Sequence, residues 1–101
     1  MGRTGSSTAP QGNAHVRAVL HLLVEPGLVE NVAERLSGMQ RIADVFEVAG
    51  EHDLVALAAV GDLRNLRALI SEICRIKGVR AMDASVVLRE LKRNGKEVMP
   101  R

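Results

Sequence analysis

The sequence predicts an α+β fold of the ferredoxin-like type, a sandwich in which a four-stranded antiparallel sheet carries two helices on one face. Hydrophobic patterns follow one another along the chain in the order β-α-β-β-α-β. The second and third strand segments are separated only by Gly50, Glu51 and His52, a connector short enough for an antiparallel hairpin. With 101 residues, 47% of them hydrophobic, the chain has room for one core, so we expect one folded domain.

The first strand and the first helix follow a polar segment. Residues 1–14 are mostly Gly, Ser, Thr and other polar residues, which predicts a disordered N-terminal arm. Residues 15–25 alternate as a strand whose two faces are both largely apolar. Pro26 and Gly27 end this strand, and apolar residues at helical spacing then predict a helix over residues 26–37.

The second half of the chain repeats this alternation of strand and helix. Residues 41–49 and 53–60 form the two strands of the predicted hairpin. Asp62 is a good N-cap for a helix over residues 63–77, because its carboxylate can accept a backbone N–H of the first turn. A last strand runs from Val79 to about Leu91. The predicted domain covers residues 15–92, and residues 93–101 form a polar basic tail.

The predicted sheet is apolar on both faces, although the helices cover only one of them. The uncovered face carries five hydrophobic side chains: Val19, Leu23, Val55, Leu57 and Ala59. An exposed apolar patch of roughly several hundred Å² marks an interface. Because burial stabilises by about 25 cal/mol per Å², such a patch is sufficient to drive stable pairing. We therefore predict a homodimer formed sheet to sheet.

Composition excludes several classes of function. Phe46 is the only aromatic residue apart from histidine, which excludes an RNA-recognition module that stacks bases on aromatic side chains. One cysteine permits neither an intramolecular disulfide nor a multi-cysteine metal cluster. No apolar run reaches the roughly 18 residues of a membrane span. We expect a cytoplasmic protein with no cofactor, no bound metal, no membrane association and no direct contact with nucleic acid.

The candidate catalytic residues do not assemble into a recognisable site. His15 borders the predicted arm, and His21 is predicted to stand alone on a strand face. Cys74 belongs to the apolar stripe of the second helix beside Ile70 and Ile73, which predicts an inert thiol in the core. The sequence therefore predicts no catalytic site.

One segment gathers polar groups at a single point, the hairpin tip from Gly50 to Asp53. Two interpretations remain open. In the first, the segment is a solvated turn in which Gly50 supplies a positive φ angle and Asp53 bonds to the backbone, and composition alone favours this. In the second, the segment is a binding loop.

Three segments together resemble a known family: the hairpin EVAGEHDLVALAAV, the Val-Glu-Pro-Gly entry into the first helix, and the closing RIKGVRAMDASVVLRELK. Residues 15–92 resemble the effector-binding (RAM) domain of the Lrp/AsnC, or feast/famine, transcriptional regulators. In that family the domain pairs through its sheets, dimers assemble into octameric or similar rings, and a free amino acid binds between adjacent dimers. The resemblance implies that Gly50, Glu51, His52 and Asp53 line an effector cleft. Backbone N–H groups beside Gly50 suit a carboxylate, and Asp53 suits an ammonium group.

Two departures from the family pattern modify this expectation. Where relatives often show T-x-T in the last strand, this chain has Met82 and Ala84, so the expected pocket wall loses two hydroxyls. This favours a more apolar effector, or none. The sequence also lacks the family's N-terminal helix-turn-helix domain, which predicts a stand-alone form that does not read an operator and acts on a partner, such as a full-length regulator of the family, through mixed oligomers.

We therefore expect a non-catalytic, amino-acid-responsive regulatory module. Two alternatives remain. A small dimeric α/β-barrel enzyme, of the cofactor-free monooxygenase or isomerase type, shares this strand order but needs a polar pocket between sheet and helices. A purely structural oligomerisation domain would leave the effector cleft empty.

Overall fold

The elements of the fold follow the predicted order β-α-β-β-α-β. The computed structural model describes residues 15–98, so the predicted arm at 1–14 and the last three residues of the predicted tail lie outside the described residues. The main elements are β1 (Val16–Val24), α1 (Val29–Ser37), β2 (Ile42–Glu47), β3 (Leu54–Val60), α2 (Leu63–Cys74) and β4 (Val79–Val86). A 3-10 turn at Pro26–Leu28 precedes α1, and a short hairpin of β5 (Lys92–Arg93) and β6 (Lys96–Glu97) follows β4, which ends earlier than predicted.

The four main strands form an antiparallel sheet in the order β2-β3-β1-β4, which confirms the ferredoxin-like fold. The register is fixed at the centre, where Leu20 of β1 pairs with Ala56 of β3 and with Ala84 of β4. Because successive side chains of a strand point to opposite faces, the even-numbered residues of β1 and β3 face the helices. The odd-numbered residues face away from them. We call this helix-free side of the sheet the open face.

The core lies between the helices and the sheet and is entirely aliphatic. Its largest fully buried side chains come from β1, α1, β3 and α2: Leu20, Leu22, Val32, Leu36, Leu54, Val60, Leu69 and Ile73. Within residues 15–98 no polar or charged residue is buried. Phe46, the single large aromatic residue, lies outside this core and is 50% exposed. Burial of branched aliphatic chains is therefore the main stabilising contribution to this domain.

The second helix begins as predicted but ends sooner. The Asp62 carboxylate accepts the backbone N–H of Asn65 at 2.8 Å, which confirms the N-cap. The helix ends at Cys74. The predicted burial of Cys74 is wrong, because this thiol is exposed. Each residue turns a helix by about 100°, so Cys74 lies off the stripe that buries Ile73, although the two are adjacent in sequence.

Gly78, between α2 and β4, occupies a position that only glycine fits. Its φ angle is +107°, and a Cβ added there would lie 2.8 Å from Leu28 Cβ and 3.1 Å from Val32 Cγ2. Its carbonyl accepts the N–H of Glu25 at 2.8 Å, so the backbone cannot withdraw without losing that bond. Gly78 thus joins the start of β4 closely to the turn before α1.

We expect Gly78→Ala to lower the free energy of unfolding by about 1–3 kcal/mol, because the new methyl group meets two side chains in a backbone conformation that L-residues rarely adopt. Urea unfolding followed by far-UV circular dichroism measures this. Gly27→Ala is the matched control, since no atom lies within 4 Å of the Cβ added there. Equal stability of the two variants would contradict the proposed close packing.

Candidate functional site

The hairpin tip between β2 and β3 is fixed to the end of β1 by Asp53. The backbone N–H of Asp53 donates to the carbonyl of Leu22 at 2.9 Å, and its Oδ2 accepts the N–H of Val24 at 2.7 Å. The Asp53 carbonyl accepts the N–H of Val48 at 3.0 Å, which closes the hairpin. Asp53 therefore bonds to the backbone as predicted, but its carboxylate does so on the neighbouring strand β1 and not within its own turn. Its carboxylate is already engaged, and only its remaining lone pairs are available to another donor.

Of the other residues of the hairpin tip, two are exposed to solvent and one lies over the open face. Gly50, with a φ angle of +157° as the turn interpretation requires, and Glu51 are exposed. His52 instead folds back over the sheet, where its Nε2 lies 3.5 Å from Oδ2 of Asp83 and its ring centroid 5.3 Å from that of His21. His21 is therefore not alone on its strand face. No sequence pattern indicated this cluster, since its three members come from β1, the hairpin tip and β4.

Met82 and Ala84 lie on the other side of the sheet. They pair with Leu22 and Leu20, which face the helices, whereas Asp83 pairs with His21 on the open face. Met82 packs against the core, and Ala84 is exposed because β4 is an edge strand that the helices cover incompletely. A single chain therefore does not gather all six predicted ligand-binding residues. It places His52 beside Asp83 and exposes Ala84 on the opposite face of the same strand.

The open face is apolar along its middle, as the sequence predicted. Val19 of β1 pairs with Leu57 of β3, and both are half-buried, while Leu23 is 37% exposed. Phe46 of β2, which pairs with Val55, extends the apolar surface towards the sheet edge. Ala59, which the sequence predicted on the uncovered face, is instead buried, since only 3% of its surface is exposed. The helices do not cover the rest of this face. Polar groups occupy the two ends, with the His52 cluster at one.

A cavity of about 470 Å³ occupies the other end of the open face. Val19 and Leu57 line it together with Arg17, Glu90 and Arg93. The Glu90 carboxylate binds the guanidinium of Arg17 and, at 3.1 Å, that of Arg93. These ion pairs hold the segment after β4 beside the open face, in a region where the sequence predicted the strand's end and a tail. The spacing of Glu90 and Arg93 is the only sequence signal for this arrangement.

The structure offers no centre for metal chemistry in the part of the chain that it describes. No group of three or more His, Cys, Asp or Glu residues within 15–98 is arranged to hold a metal ion. No helix among these residues is long and apolar enough to span a bilayer.

The fold and the site define the class of this protein as a ferredoxin-like α+β domain, with an uncovered apolar sheet face and a hairpin loop anchored beside it. Residues 17–97 match the model of the Lrp/AsnC ligand binding domain. Since the match covers most of the chain, the chain belongs to this family.

Two curated relatives contain regions similar to this chain. The HTH-type transcriptional regulator Ptr1 of Methanocaldococcus jannaschii is 29% identical over 82 residues, which are 80% of this chain and 55% of that protein. A homocitrate synthase of Saccharolobus islandicus is 26% identical over 89 residues, which are 87% of this chain and 19% of the enzyme. The chain therefore spans about half the length of the regulator and a small part of the synthase.

Solved structures share the fold. TTHA0845 from Thermus thermophilus superposes with a TM-score of 0.73 at 24% identity, covering 77% of this chain and 99% of that one. The transcriptional regulator NMB0573 of Neisseria meningitidis, solved as a complex with L-Met, gives a TM-score of 0.76 at 20% identity, covering 80% of this chain and 55% of that one. At these identities the similarity establishes the fold.

We expect Asp53→Ala to lower the free energy of unfolding by about 1–3 kcal/mol, because it removes the acceptor of the Val24 N–H. Urea unfolding measures the change. Glu51→Ala is the control, since an exposed carboxylate without such a bond changes stability by at most about 0.5 kcal/mol. If Asp53→Ala unfolds at the same urea concentration as Glu51→Ala, Asp53 does not anchor the hairpin.

Proposed function

We propose that this chain is an amino-acid-responsive regulatory module that acts through oligomerisation. The observation that carries the proposal is the open face, an apolar surface at the centre of the sheet that the helices leave uncovered. The chain's membership of the Lrp/AsnC family supports a regulatory role for this surface. A monomer in water would leave Leu23, Phe46 and the edges of Leu57 wet, which costs free energy that association recovers.

A second copy of the chain is the partner that fits the open face. A twofold axis through the Val19–Leu57 pair would place the apolar middle of one sheet on that of the next, which is the isologous contact of cyclic dimers. The polar groups lie at the ends of the face, as at the rim of an interface. The cavity lined by Arg17 and Glu90 then lies at one edge of the paired sheets.

The effector site is proposed at the end of the sheet where the hairpin tip meets β4. Gly50 and Glu51 are exposed, and so is Ala84 on the helix side of β4, so one chain leaves this region open. A neighbouring dimer would complete the enclosure that a small ligand requires. Backbone N–H groups at Gly50 suit the carboxylate of an amino acid, and the free lone pairs of Asp53 suit its ammonium group.

The chemistry of the β4 wall favours an apolar amino acid. Met82 and Ala84 offer a thioether and a methyl group, neither of which is a strong hydrogen-bond donor. The L-Met found with NMB0573 supports the choice of methionine as the first ligand to test. Glu51 and His52 are proposed to contact the ligand's polar end. Because His52 and the β4 wall lie on opposite faces of the sheet within one chain, the tip and the wall of one site are proposed to come from neighbouring chains.

We also propose that the module modulates a partner and does not bind nucleic acid itself. Ptr1 supports a full-length regulator of the same family as that partner, joined through mixed oligomers. The space between sheet and helices is filled by aliphatic side chains such as Leu20 and Leu69, and residues 15–98 bury no polar group there. This packing supports a regulatory module over the enzyme alternative.

We expect Leu57→Asp to convert the dimer to a monomer, because two carboxylates would be buried near the twofold axis. Light scattering coupled to size exclusion measures the mass. Leu63→Asp is the matched control, since Leu63 is 57% exposed at the start of α2, outside the open face. A dimeric Leu57→Asp protein would contradict pairing through the sheet.

We expect an apolar amino acid, L-Met first among the twenty, to raise the melting temperature of the assembled protein. A ligand at 100 times its Kd that binds only the folded state adds about 2.7 kcal/mol of stability. Ala84→Glu should abolish the shift, because a carboxylate in the proposed wall would lose its hydration against the ligand's apolar side chain. A thermal-shift assay measures both.

Gln40→Glu is the control for this screen, since it introduces the same charge at an exposed position between α1 and β2. It should leave the shift unchanged. If no amino acid shifts an oligomeric wild-type protein, amino-acid sensing is wrong, and a structural oligomerisation domain is the better description.

A further inference from the structure

The outward surface of α1 forms one side of an acidic groove. The groove has a volume of about 310 Å³ and lies between α1 and the end of β2. Five residues line it: Val29, Glu30, Ala33, Glu34 and Glu47. Within residues 15–98 none of its three glutamates forms an ion pair. The groove therefore combines an apolar floor with three negative charges that no described residue neutralises.

The outward surface of α2 carries the opposite charge. Arg64 and Arg67 of α2, together with Arg75 at its C-cap, lie on the side of the helix away from its buried Leu66, Leu69 and Ile73. All three arginines are exposed, and none has an ion-pair partner in the described part of the chain. We call them the arginine stripe. The glutamate of α2, Glu72, is already bound to Arg41 at 2.9 Å.

The two charged surfaces lie on opposite halves of the helix layer. Helix α1 packs on β2 and β3, whereas α2 packs on β3 and β4. In the strand order β2-β3-β1-β4 these are opposite sides of the sheet. One chain therefore cannot bring its own groove and stripe together, but a copy placed beside it can.

We propose that the arginine stripe of one copy docks in the acidic groove of the next. Three positive charges meet three negative ones, and complementary charge of this kind selects the partner and steers its approach. The aliphatic stems of the arginines pack on Val29 and Ala33, while their guanidinium groups reach the glutamates. A nucleic acid on the stripe is a weaker fit, because the glutamates of the same molecule repel a polyanion.

This contact rests on the proposed oligomeric function and adds to it the surface through which sheet-paired dimers join. It is heterologous, since two different patches meet, and such contacts form closed rings when the rotation between copies closes. Because the docking contact pairs opposite charges, salt weakens assembly beyond the dimer, whereas it does not weaken the apolar pairing of the sheets.

Charge-swapped variants of the whole chain test the contact. Glu34→Lys with Glu47→Lys reverses the groove, and Arg64→Glu with Arg67→Glu reverses the stripe. Light scattering should give the wild type a mass above that of the dimer at low salt, falling to the dimer at about 1 M salt, where the screening length is about 3 Å. Each swapped variant should remain a dimer at low salt, and an equal mixture of the two should recover the larger mass.

Glu25→Lys is the control, since this exposed glutamate lies outside the groove and its variant should assemble like the wild type. The inference is overturned if the swapped variants keep the wild-type mass, or if their mixture remains dimeric. It is also overturned if reversal of the stripe abolishes binding of duplex DNA without changing the mass.

Repeating the mixture in the Leu57→Asp background separates this contact from sheet pairing. There the two swapped monomers should associate in equal numbers into salt-sensitive assemblies, and the absence of these would overturn the docking contact alone. A wild type that shows only salt-sensitive assemblies and no salt-resistant dimer would instead overturn the pairing of sheets.

Discussion

The pairing of β1 with both of its neighbours is the constraint on which the rest of the structure depends. This central strand fixes the register through Leu20, which pairs with Ala56 on one side and Ala84 on the other. A shift by one residue would move every side chain of β1 to the wrong face. The aliphatic core and the open face are therefore two results of one register, and a single strand supplies hydrophobic side chains to both.

The same register explains how Asp53 serves the candidate site. By accepting the N–H of Val24 at the end of β1, Asp53 extends the β1–β3 ladder into the hairpin tip. The tip is thereby held at the end of the sheet where β4 begins, and His52 reaches the open face. A loop that positions exposed groups needs such an anchor, since an unanchored tip would lose more conformational entropy on binding a ligand.

Strand and helix periodicity predicted the order of elements, the two-faced sheet and the helix cap at Asp62, because each depends on residues close in sequence. Periodicity fails at the margin of an apolar stripe, because it does not show how wide a stripe the sheet covers. It predicts Cys74 in the core, whereas the thiol is exposed. It also failed for the meeting of His21 with His52 and for the ion pairs of Glu90. Those contacts depend on where separate strands end, which a single sequence does not specify. The opposite faces of Met82 and His52 follow from register and were not foreseen either.

Because its core is purely aliphatic, this protein has very little near-ultraviolet signal. With no tryptophan and no tyrosine, it has almost no absorbance or fluorescence of its own in the near ultraviolet. This low intrinsic fluorescence becomes an advantage if a single tryptophan is introduced. Phe46 lies half-exposed on the open face, and its replacement by tryptophan would give a single emitter on a dark background. The emission of this tryptophan would move to shorter wavelength when its indole ring is excluded from water. Its emission wavelength would therefore report whether the open face is covered.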